Sequence, residues 1–187
     1  DQGFYRTTIK DIAKLAGVSP GLVYLYVREK EDVLLLVLLQ VLEAYAKEIP
    51  PAIQGVTNPL QRLTRAVASY CRVVDRYPAA TVLAYRSTKS LSPERRVLIQ
   101  DREVETNAII SDTVADCIAA GLIRPLNVDV LTYQLVLIAH GWALKSWFFK
   151  SRLTLDEYIS HSLSSLLYGI LTETGQARID AKKPFER

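Results

Sequence analysis

Two tyrosines stand close together in the segment AGVSPGLVYLY, residues 16–26, and their hydroxyl groups could bind a partner. Tyr24 and Tyr26 lie among aliphatic neighbours, and Lys30 follows them. On a helix they cannot both share the face of Val23, and burying both would leave hydroxyl groups without hydrogen-bond partners. Phosphate oxygens accept hydrogen bonds from tyrosine and lysine at protein–DNA interfaces, so the pattern favours contact with a phosphate backbone.

Two short helices must hold these side chains. Thr8 is a suitable N-cap, and apolar residues then recur at helical spacing as far as Gly17, which suits a helix end. Ser19 can cap a second helix with Pro20 at its first position, where the missing N–H costs nothing. Two helices joined by such a turn form a helix-turn-helix, and its second helix fits the DNA major groove. The spacing alone leaves open a helical hairpin with two core tyrosines.

The rest of the chain is predicted to be helical, because no sustained alternation of apolar and polar residues indicates a strand. We expect helices over residues 30–49, 58–77, 79–89, 93–120, 128–150 and 155–171. Pro50 and Pro51 are expected to end the first of these helices, and the tail from Glu173 onward is expected to be polar and frayed. The fold class is therefore all-α.

Composition excludes several classes of protein. The chain has 187 residues, of which 49% are hydrophobic and 23% charged, as in a globular protein. Cys71 and Cys117 are isolated and are expected to be buried thiols in a reducing compartment. Without an unbroken run of 18 apolar residues we expect a cytoplasmic protein that does not enter a membrane. His140 and His161 lack metal-ligand spacing, and we expect no catalytic residue, metal or cofactor.

The stretch TTIKDIAKLAGVSPGLVYLYVREKEDVL resembles the DNA-binding segment of the TetR (tetracycline-repressor-type) family of regulators. The matching residues are Thr8, Ile12, Ala13, Ala16, Gly17, Val18, Ser19, Gly21, Tyr24 and Lys30. The resemblance implies a helix-turn-helix domain over residues 1–48, including a linking helix, and a helical ligand-binding and dimerisation domain over residues 49–187. It also implies that the family's first helix is largely missing from this sequence, with Gly3 and Phe4 at its end. Val27 departs from the family, which often has phenylalanine there.

The same resemblance implies which residues meet DNA. Tyr24 and Lys30 would hold phosphates, while Thr8 and Lys10 would meet the backbone or bases from the first helix of the motif. The residues expected to line the groove are Ser19, Pro20, Gly21, Leu22, Leu25 and Tyr26. The implied partner is a palindromic double-stranded operator, bound by a repressor that a small-molecule inducer releases.

The resemblance also implies a homodimer that pairs through its last two helices. The apolar stripe expected at this interface consists of Leu155, Ile159, Leu163, Leu166, Leu167 and Ile170. Because the last two predicted helices carry more apolar surface than one monomer can cover, a symmetric four-helix bundle would bury the same patch twice.

The segments AYRSTKSLSPERR and GWALKSWFFKSRLTLDEYI resemble the subset of the family that senses fatty acyl-CoA or related CoA thioesters. Such a ligand needs an apolar tunnel and cations for its phosphates, and residues 62–102 hold nine Arg or Lys against three Asp or Glu. The expected ligand-binding residues are Tyr85, Arg86, Lys89, Asn107 and Trp142. Asn107 could instead form a hydrogen bond with a backbone carbonyl, and Trp142 could belong to the core. The alternative function is a multidrug- or aromatic-compound-sensing repressor of an efflux or catabolic operon, which would need a buried Glu or Asp.

Overall fold

The computed structural model describes residues 3–180 and confirms an all-α protein. The helices are α1 Gly3–Arg6, α2 Ile9–Ala16, α3 Pro20–Tyr24, α4 Lys30–Ile53, α5 Pro59–Arg76, α6 Pro78–Ser87, α7 Pro93–Ala119, α8 Val128–Leu144, α9 Ser146–Phe149, α10 Leu155–Leu167 and α11 Glu173–Asp180. A 3₁₀ turn, Thr88–Ser90, follows α6. In this part of the chain the only β-type pairing is one isolated antiparallel bridge between Ile123 and Leu171.

α2 and the start of α3 lie where the sequence predicts, whereas α1 spans Gly3–Arg6 and continues past the predicted end at Gly3 and Phe4. At the start of α2 the Thr8 hydroxyl accepts a hydrogen bond from the Asp11 N–H, and the Asp11 carboxylate accepts one from the Thr8 N–H. Gly17 ends α2 with φ at 68°, in the left-handed region that favours glycine. The Ser19 hydroxyl then accepts from the Leu22 N–H at 3.2 Å, which caps α3. Local hydrogen bonds therefore define the helix-turn-helix.

Three of the predicted helix ends further along the chain are also wrong. α4 continues through Pro50 and Pro51 to Ile53, since the fixed φ of proline is itself helical and only the last turn lacks N–H donors. α8 stops at Leu144, and the bend at Lys145 starts the separate helix α9.

The C-terminal end differs for a tertiary reason. α10 stops at Leu167, because the next residues pair with another segment: the Arg124 N–H donates to the Ile170 carbonyl, and the Thr172 N–H donates to the Leu122 carbonyl. The region expected to fray forms α11 instead, up to Asp180, and the expected tail beyond residue 180 lies outside the described residues.

Most of the buried apolar residues form one core around α5, which is buried along most of its length. α4, α7, α8 and α10 surround it, and Cys71 and Cys117 are buried there as free thiols. A second, smaller cluster consists of Leu34, Leu38, Leu91 and Ile99, with Phe4 packed against its side. This small cluster connects the N-terminal helices to the body.

Candidate functional site

α3 and the two residues after it carry large side chains that nothing in the described chain covers. Leu25 and Tyr26 are 79% and 78% exposed, and Leu22 and Tyr24 are 43% and 51% exposed. Contiguous exposed apolar surface of this kind marks an interaction site rather than a solvated face. The hairpin with two core tyrosines is therefore wrong.

Most of the other residues expected to contact DNA are exposed too. Ser19, Pro20 and Gly21 are exposed at the N-terminus of α3, and Thr8 and Lys10 are exposed on the preceding helix. Every residue that the sequence singled out for DNA contact is therefore exposed except Lys30, which is half-buried, and their contact with DNA stays a prediction.

Lys30 is engaged within the protein. Its ammonium donates to the Phe4 carbonyl at 2.6 Å and to the Tyr5 carbonyl at 3.2 Å, and it lies 4.4 Å from the centre of the Phe4 ring. A cation is favourable at these carbonyls, because they belong to the C-terminal end of α1. Lys30 therefore holds α1 in place, and a phosphate contact from it stays a prediction.

An ionic cluster that the sequence reasoning missed joins these helices to the body. The Arg95 guanidinium, in the first turn of α7, contacts Glu29 at 2.7 Å, Glu31 at 3.3 Å and also Asp32. Hydrogen bonds from the N–H groups of Glu29 and Arg28 hold the pKa of Asp32 below its usual range. The available signal was the acidic run EKED beside α4 and the paired arginines of SPERR, but their contact depends on long-range packing.

A cavity of about 70 Å³ lies between α4, α5, α6, α7 and α8. Its walls are Leu38, Val41, Leu42, Tyr45, Tyr70, Ala80, Thr81, Ala84, Tyr85, Ile99, Glu103 and His140. The walls combine apolar side chains with a few polar groups, which is the usual composition of a small-molecule site.

Three polar lining residues, Tyr70, Tyr85 and His140, form a hydrogen-bonded chain with His140 at its centre. The Tyr85 hydroxyl lies 3.0 Å from one ring nitrogen of His140, and the Tyr70 hydroxyl lies 3.4 Å from the other. Tyr70 also donates to the Asn107 side-chain oxygen at 3.4 Å, and its ring stacks on Tyr45. Burial lowers the pKa of His140 to about 4, so the imidazole is neutral near pH 7.

Of the five expected ligand-binding residues, the structure places two at this cavity. Tyr85 lines it, and Asn107 reaches it through Tyr70. Arg86 and Lys89 are exposed and outside the walls. Trp142 is buried elsewhere, where its indole N–H donates to Asp75 at 2.8 Å.

Glu103 is a charged lining residue that the sequence reasoning missed, as it missed the lining residues Tyr70 and His140. Burial raises the pKa of its carboxyl group, and within residues 3–180 no ion pair includes it. It lies four residues after Ile99 and four before Asn107, on one face of α7. That spacing was the signal available in the sequence.

The stripe expected to form the dimer interface packs within its own chain. Ile159, Leu163 and Leu167 are buried in the main core, and Leu155, Leu166 and Ile170 pack against it. The exposed apolar residues on α8 are instead Val130, Tyr133 and Leu137, which share one helical face.

The described residues hold no group of three or more His, Cys, Asp or Glu side chains that could bind a metal ion. None of their helices has both the length and the apolar character to cross a bilayer.

Two family models match the chain. Residues 1–37 match the bacterial regulatory proteins of the tetR family, and residues 56–169 match the tetracyclin repressor-like C-terminal domain. The transcriptional regulator HbdR of Aromatoleum sp. (strain CIB) is 50% identical over 98% of this chain and 80% of its own. The transcriptional repressor KstR2 of Mycolicibacterium smegmatis is 24% identical over 93% of this chain and 85% of its own.

Solved structures share the fold at lower identity. The ketosteroid transcriptional regulator KstR2 of Mycobacterium tuberculosis superimposes with a TM-score of 0.76 at 24% identity, covering 91% of this chain and 87% of that one. AibR in complex with isovaleryl coenzyme A and operator DNA gives a TM-score of 0.75 at 20% identity, covering 89% and 90%. At these identities the likeness shows the fold alone.

Proposed function

The chain belongs to the TetR family of transcriptional regulators, and on that premise we propose that it is a repressor released from a palindromic operator by a CoA thioester. Proteins of this family bind operator DNA, form dimers and bind small-molecule ligands. The observation that carries the DNA-binding half of the proposal is the set of uncovered side chains on α3 and the two residues after it. The observation that carries the ligand half is the cavity between α4 and α8.

On the DNA side, α3 enters the major groove. Ser19, Pro20, Gly21, Leu22, Leu25 and Tyr26 then face base edges, where they determine sequence preference. Tyr24 contacts a phosphate, which positions the protein without selecting a sequence, and Thr8 and Lys10 contact the backbone or the bases from α2. Lys30 contributes by fixing α1 and adds positive charge near the same backbone.

The proposed division places the DNA-binding domain at residues 1–48 and the ligand-binding and dimerisation domain at residues 49–187. α4 belongs to both, because it begins beside the helix-turn-helix and contributes Leu38, Val41 and Tyr45 to the cavity.

The ligand enters by displacing α6. A volume of about 70 Å³ is well below the 300 Å³ or more of typical ligand pockets, so the cavity must widen on binding. Among the helices around the cavity α6 is packed with the least buried apolar surface, since its only fully buried residues are the small polar Thr81 and Ser87. An acyl chain suits the apolar walls. Arg86 near the end of α6 and Lys89 in the following 3₁₀ turn are both exposed and can meet the CoA phosphates. The isovaleryl coenzyme A bound to the structurally similar AibR supports this ligand class.

A second candidate ligand is an aromatic compound, as in the alternative drug- or aromatic-sensing repressor. Tyr45, Tyr70 and Tyr85 offer ring faces and edges inside the cavity, and aromatic pairs gain energy beyond their burial. Glu103 would suit a cationic compound in particular.

One face of α7 connects the cavity to the DNA-binding helices. Arg95, Ile99, Glu103 and Asn107 follow one another at intervals of four residues and therefore lie along one side of the helix. Glu103 and Ile99 touch the cavity, while Arg95 binds the acidic residues before and within the first turn of α4. A ligand that displaces α7 would move the helix-turn-helix, and hence the spacing of the two recognition helices in a dimer.

An operator-binding titration tests the proposal. Duplexes selected by the protein from a random pool would be titrated in the presence of palmitoyl-CoA below its micellar concentration, free CoA, or the cationic dye rhodamine 6G. We expect only palmitoyl-CoA to lower operator affinity, by at least tenfold or about 1.4 kcal/mol. Release by the dye alone would favour the second candidate, and no release by any compound would contradict the CoA thioester.

A pair of variants ties the response to the cavity. Ala80 lines it and Ala79 is exposed beside it on α6. Ala80→Phe should fill the space and abolish the response to palmitoyl-CoA, while operator affinity without ligand is retained. Ala79→Phe adds the same ring outside and should respond like the wild type.

A further inference from the structure

Glu103 is the only charged side chain among the residues that line the cavity. We infer that Glu103 makes this cavity reject carboxylates, so that the protein responds to an acyl thioester and not to the corresponding free acid. This inference rests on the proposed function, because it concerns the same cavity and deepens the ligand class assigned to it.

No cation faces Glu103 from the helices packed against it. The titratable groups there are Tyr45 on α4, Tyr70 on α5, Tyr85 on α6 and His140 on α8. The pKa of each tyrosine is raised, first by burial and further by the negative charge of Glu103, so all three are neutral hydroxyl groups. The His140 imidazole is also neutral near pH 7.

The positive charges of the neighbouring segments point elsewhere. Arg102, adjacent in sequence, pairs with Glu105 at 2.9 Å on the solvent side of α7. Arg95, two turns earlier, is bound to the acidic residues near the start of α4. Arg86 is exposed and is not a lining residue. A carboxylate placed in the cavity would therefore meet a second carboxylate and no compensating charge.

Two carboxylates that share a poorly solvated site cannot both stay ionised without cost. A free acid entering the cavity must either endure the repulsion or take up a proton. A thioester or an amide of the same chain carries no charge on its carbonyl and avoids that cost. The apolar walls contact the same hydrocarbon chain in the free acid and in the thioester, so they cannot discriminate between these ligands. The discrimination therefore depends on Glu103.

The test uses octanoate and octanamide, which have the same chain and nearly the same shape but differ in charge. Their affinities would be measured by calorimetry at pH 8 for the wild type, Glu103→Gln and Glu105→Gln. Glu105→Gln is the matched control, because it removes one carboxylate from the same helix at an exposed position. Thermal unfolding of each variant establishes that it is folded.

We expect octanoate to bind Glu103→Gln at least tenfold more tightly than it binds the wild type or Glu105→Gln, while octanamide affinities stay within threefold across all three proteins. The cost of desolvating octanoate is the same in all three proteins. The test is therefore the change in octanoate affinity from the wild type to Glu103→Gln, not the affinity itself. If octanoate affinity rises by less than threefold in Glu103→Gln, or if octanamide affinity rises equally, the inference is wrong. If palmitoyl-CoA binds these proteins but octanamide does not, the cavity does not hold the acyl chain and the inference is wrong. If palmitoyl-CoA binds none of them, the proposed function itself has failed.

Discussion

The DNA-binding headpiece, residues 3–29, and the helical body that follows it are stabilised in different ways. In the headpiece only Ile9, Ala13 and Val27 are buried among the described side chains, and local capping bonds define its helices. The body has a continuous core of Leu, Val, Ile, Ala and Tyr side chains around α5. The headpiece therefore depends on the body through Lys30, Arg95 and the small apolar cluster, and its own large side chains remain available for a partner.

The largest expected effect comes from placing the same charge in both regions. Leu163→Glu buries a carboxylate in the core of the body, where Leu163 is 2% exposed, and should cost more than about 3 kcal/mol of unfolding free energy. Leu25→Glu lies on an exposed face of the headpiece and should change stability by less than about 0.5 kcal/mol. Urea unfolding measures both, and operator binding should be lost in both. Equal destabilisation by the two variants would remove the contrast between the regions.

A second test uses pH to probe the body alone. The folded-state pKa of His140, about 4, lies below its ordinary value of 6.5, so the unfolded state binds more protons between these pH values. This contribution to stability is complete above about pH 6.5 and is lost as the pH falls toward 4, by up to about 3 kcal/mol.

His140→Gln should weaken that pH dependence, measured as unfolding free energy from pH 7.5 to 4.5. His161→Gln, at an exposed position on α10, should leave it intact. Identical pH profiles for wild type and His140→Gln would contradict the neutral, buried imidazole.

Replacing one glycine in each region by alanine should change stability by a smaller amount, and should lower it in only one of the two regions. Gly175 in α11 has no room for a Cβ atom, which would clash with the Leu122 carbonyl, so Gly175→Ala should destabilise the body by about 2 kcal/mol. Gly21 in α3 has only the Ser19 hydroxyl near its Cβ position, at 3.9 Å. Gly21→Ala should keep or slightly raise stability, since alanine favours a helix, while altering the preferred operator sequence. Thermal unfolding and operator selection measure the two effects, and a stable Gly175→Ala would show that α11 is not docked as described.

The smallest expected effect concerns a single hydroxyl group of the headpiece. Tyr24→Phe should weaken operator binding by about 1 kcal/mol, nearly equally across operator variants, because a phosphate contact carries no sequence information. Tyr133→Phe, which removes an exposed hydroxyl from α8, is the control and should bind as the wild type does. Fluorescence anisotropy with several operator variants measures both. A loss confined to one operator sequence would place Tyr24 on a base edge instead.

The two regions also differ in how far their sequences predict them. Thr8, Gly17 and Ser19 define helix ends through hydrogen bonds that span only a few residues. The helices of the headpiece could therefore be predicted from local sequence. The body could be predicted as helical, but the end of α10 at Leu167 depends on pairing with the distant segment around Leu122, which no local pattern encodes.

The candidate site follows the same division. The residues of α3 that face outward could be predicted from turn chemistry and from the resemblance. Glu103 on α7 and His140 on α8 line the same cavity, and Arg95 contacts Glu29 across 66 residues of sequence. Their proximity depends on packing that no local pattern encodes. The number of cations between residues 62 and 102 predicted Arg86 in the ligand site, whereas the walls of the cavity contain a carboxylate instead.

The central claim is that α7 carries the effect of the ligand from the cavity to the headpiece through Arg95. The most direct measurement is operator affinity with and without saturating palmitoyl-CoA for the wild type, Arg95→Ala and Arg96→Ala, with ligand binding to each protein confirmed by calorimetry. We predict at least a tenfold loss of affinity in the wild type and in Arg96→Ala, and less than a threefold loss in Arg95→Ala at unchanged palmitoyl-CoA affinity. A tenfold loss that persists in Arg95→Ala would contradict the claim.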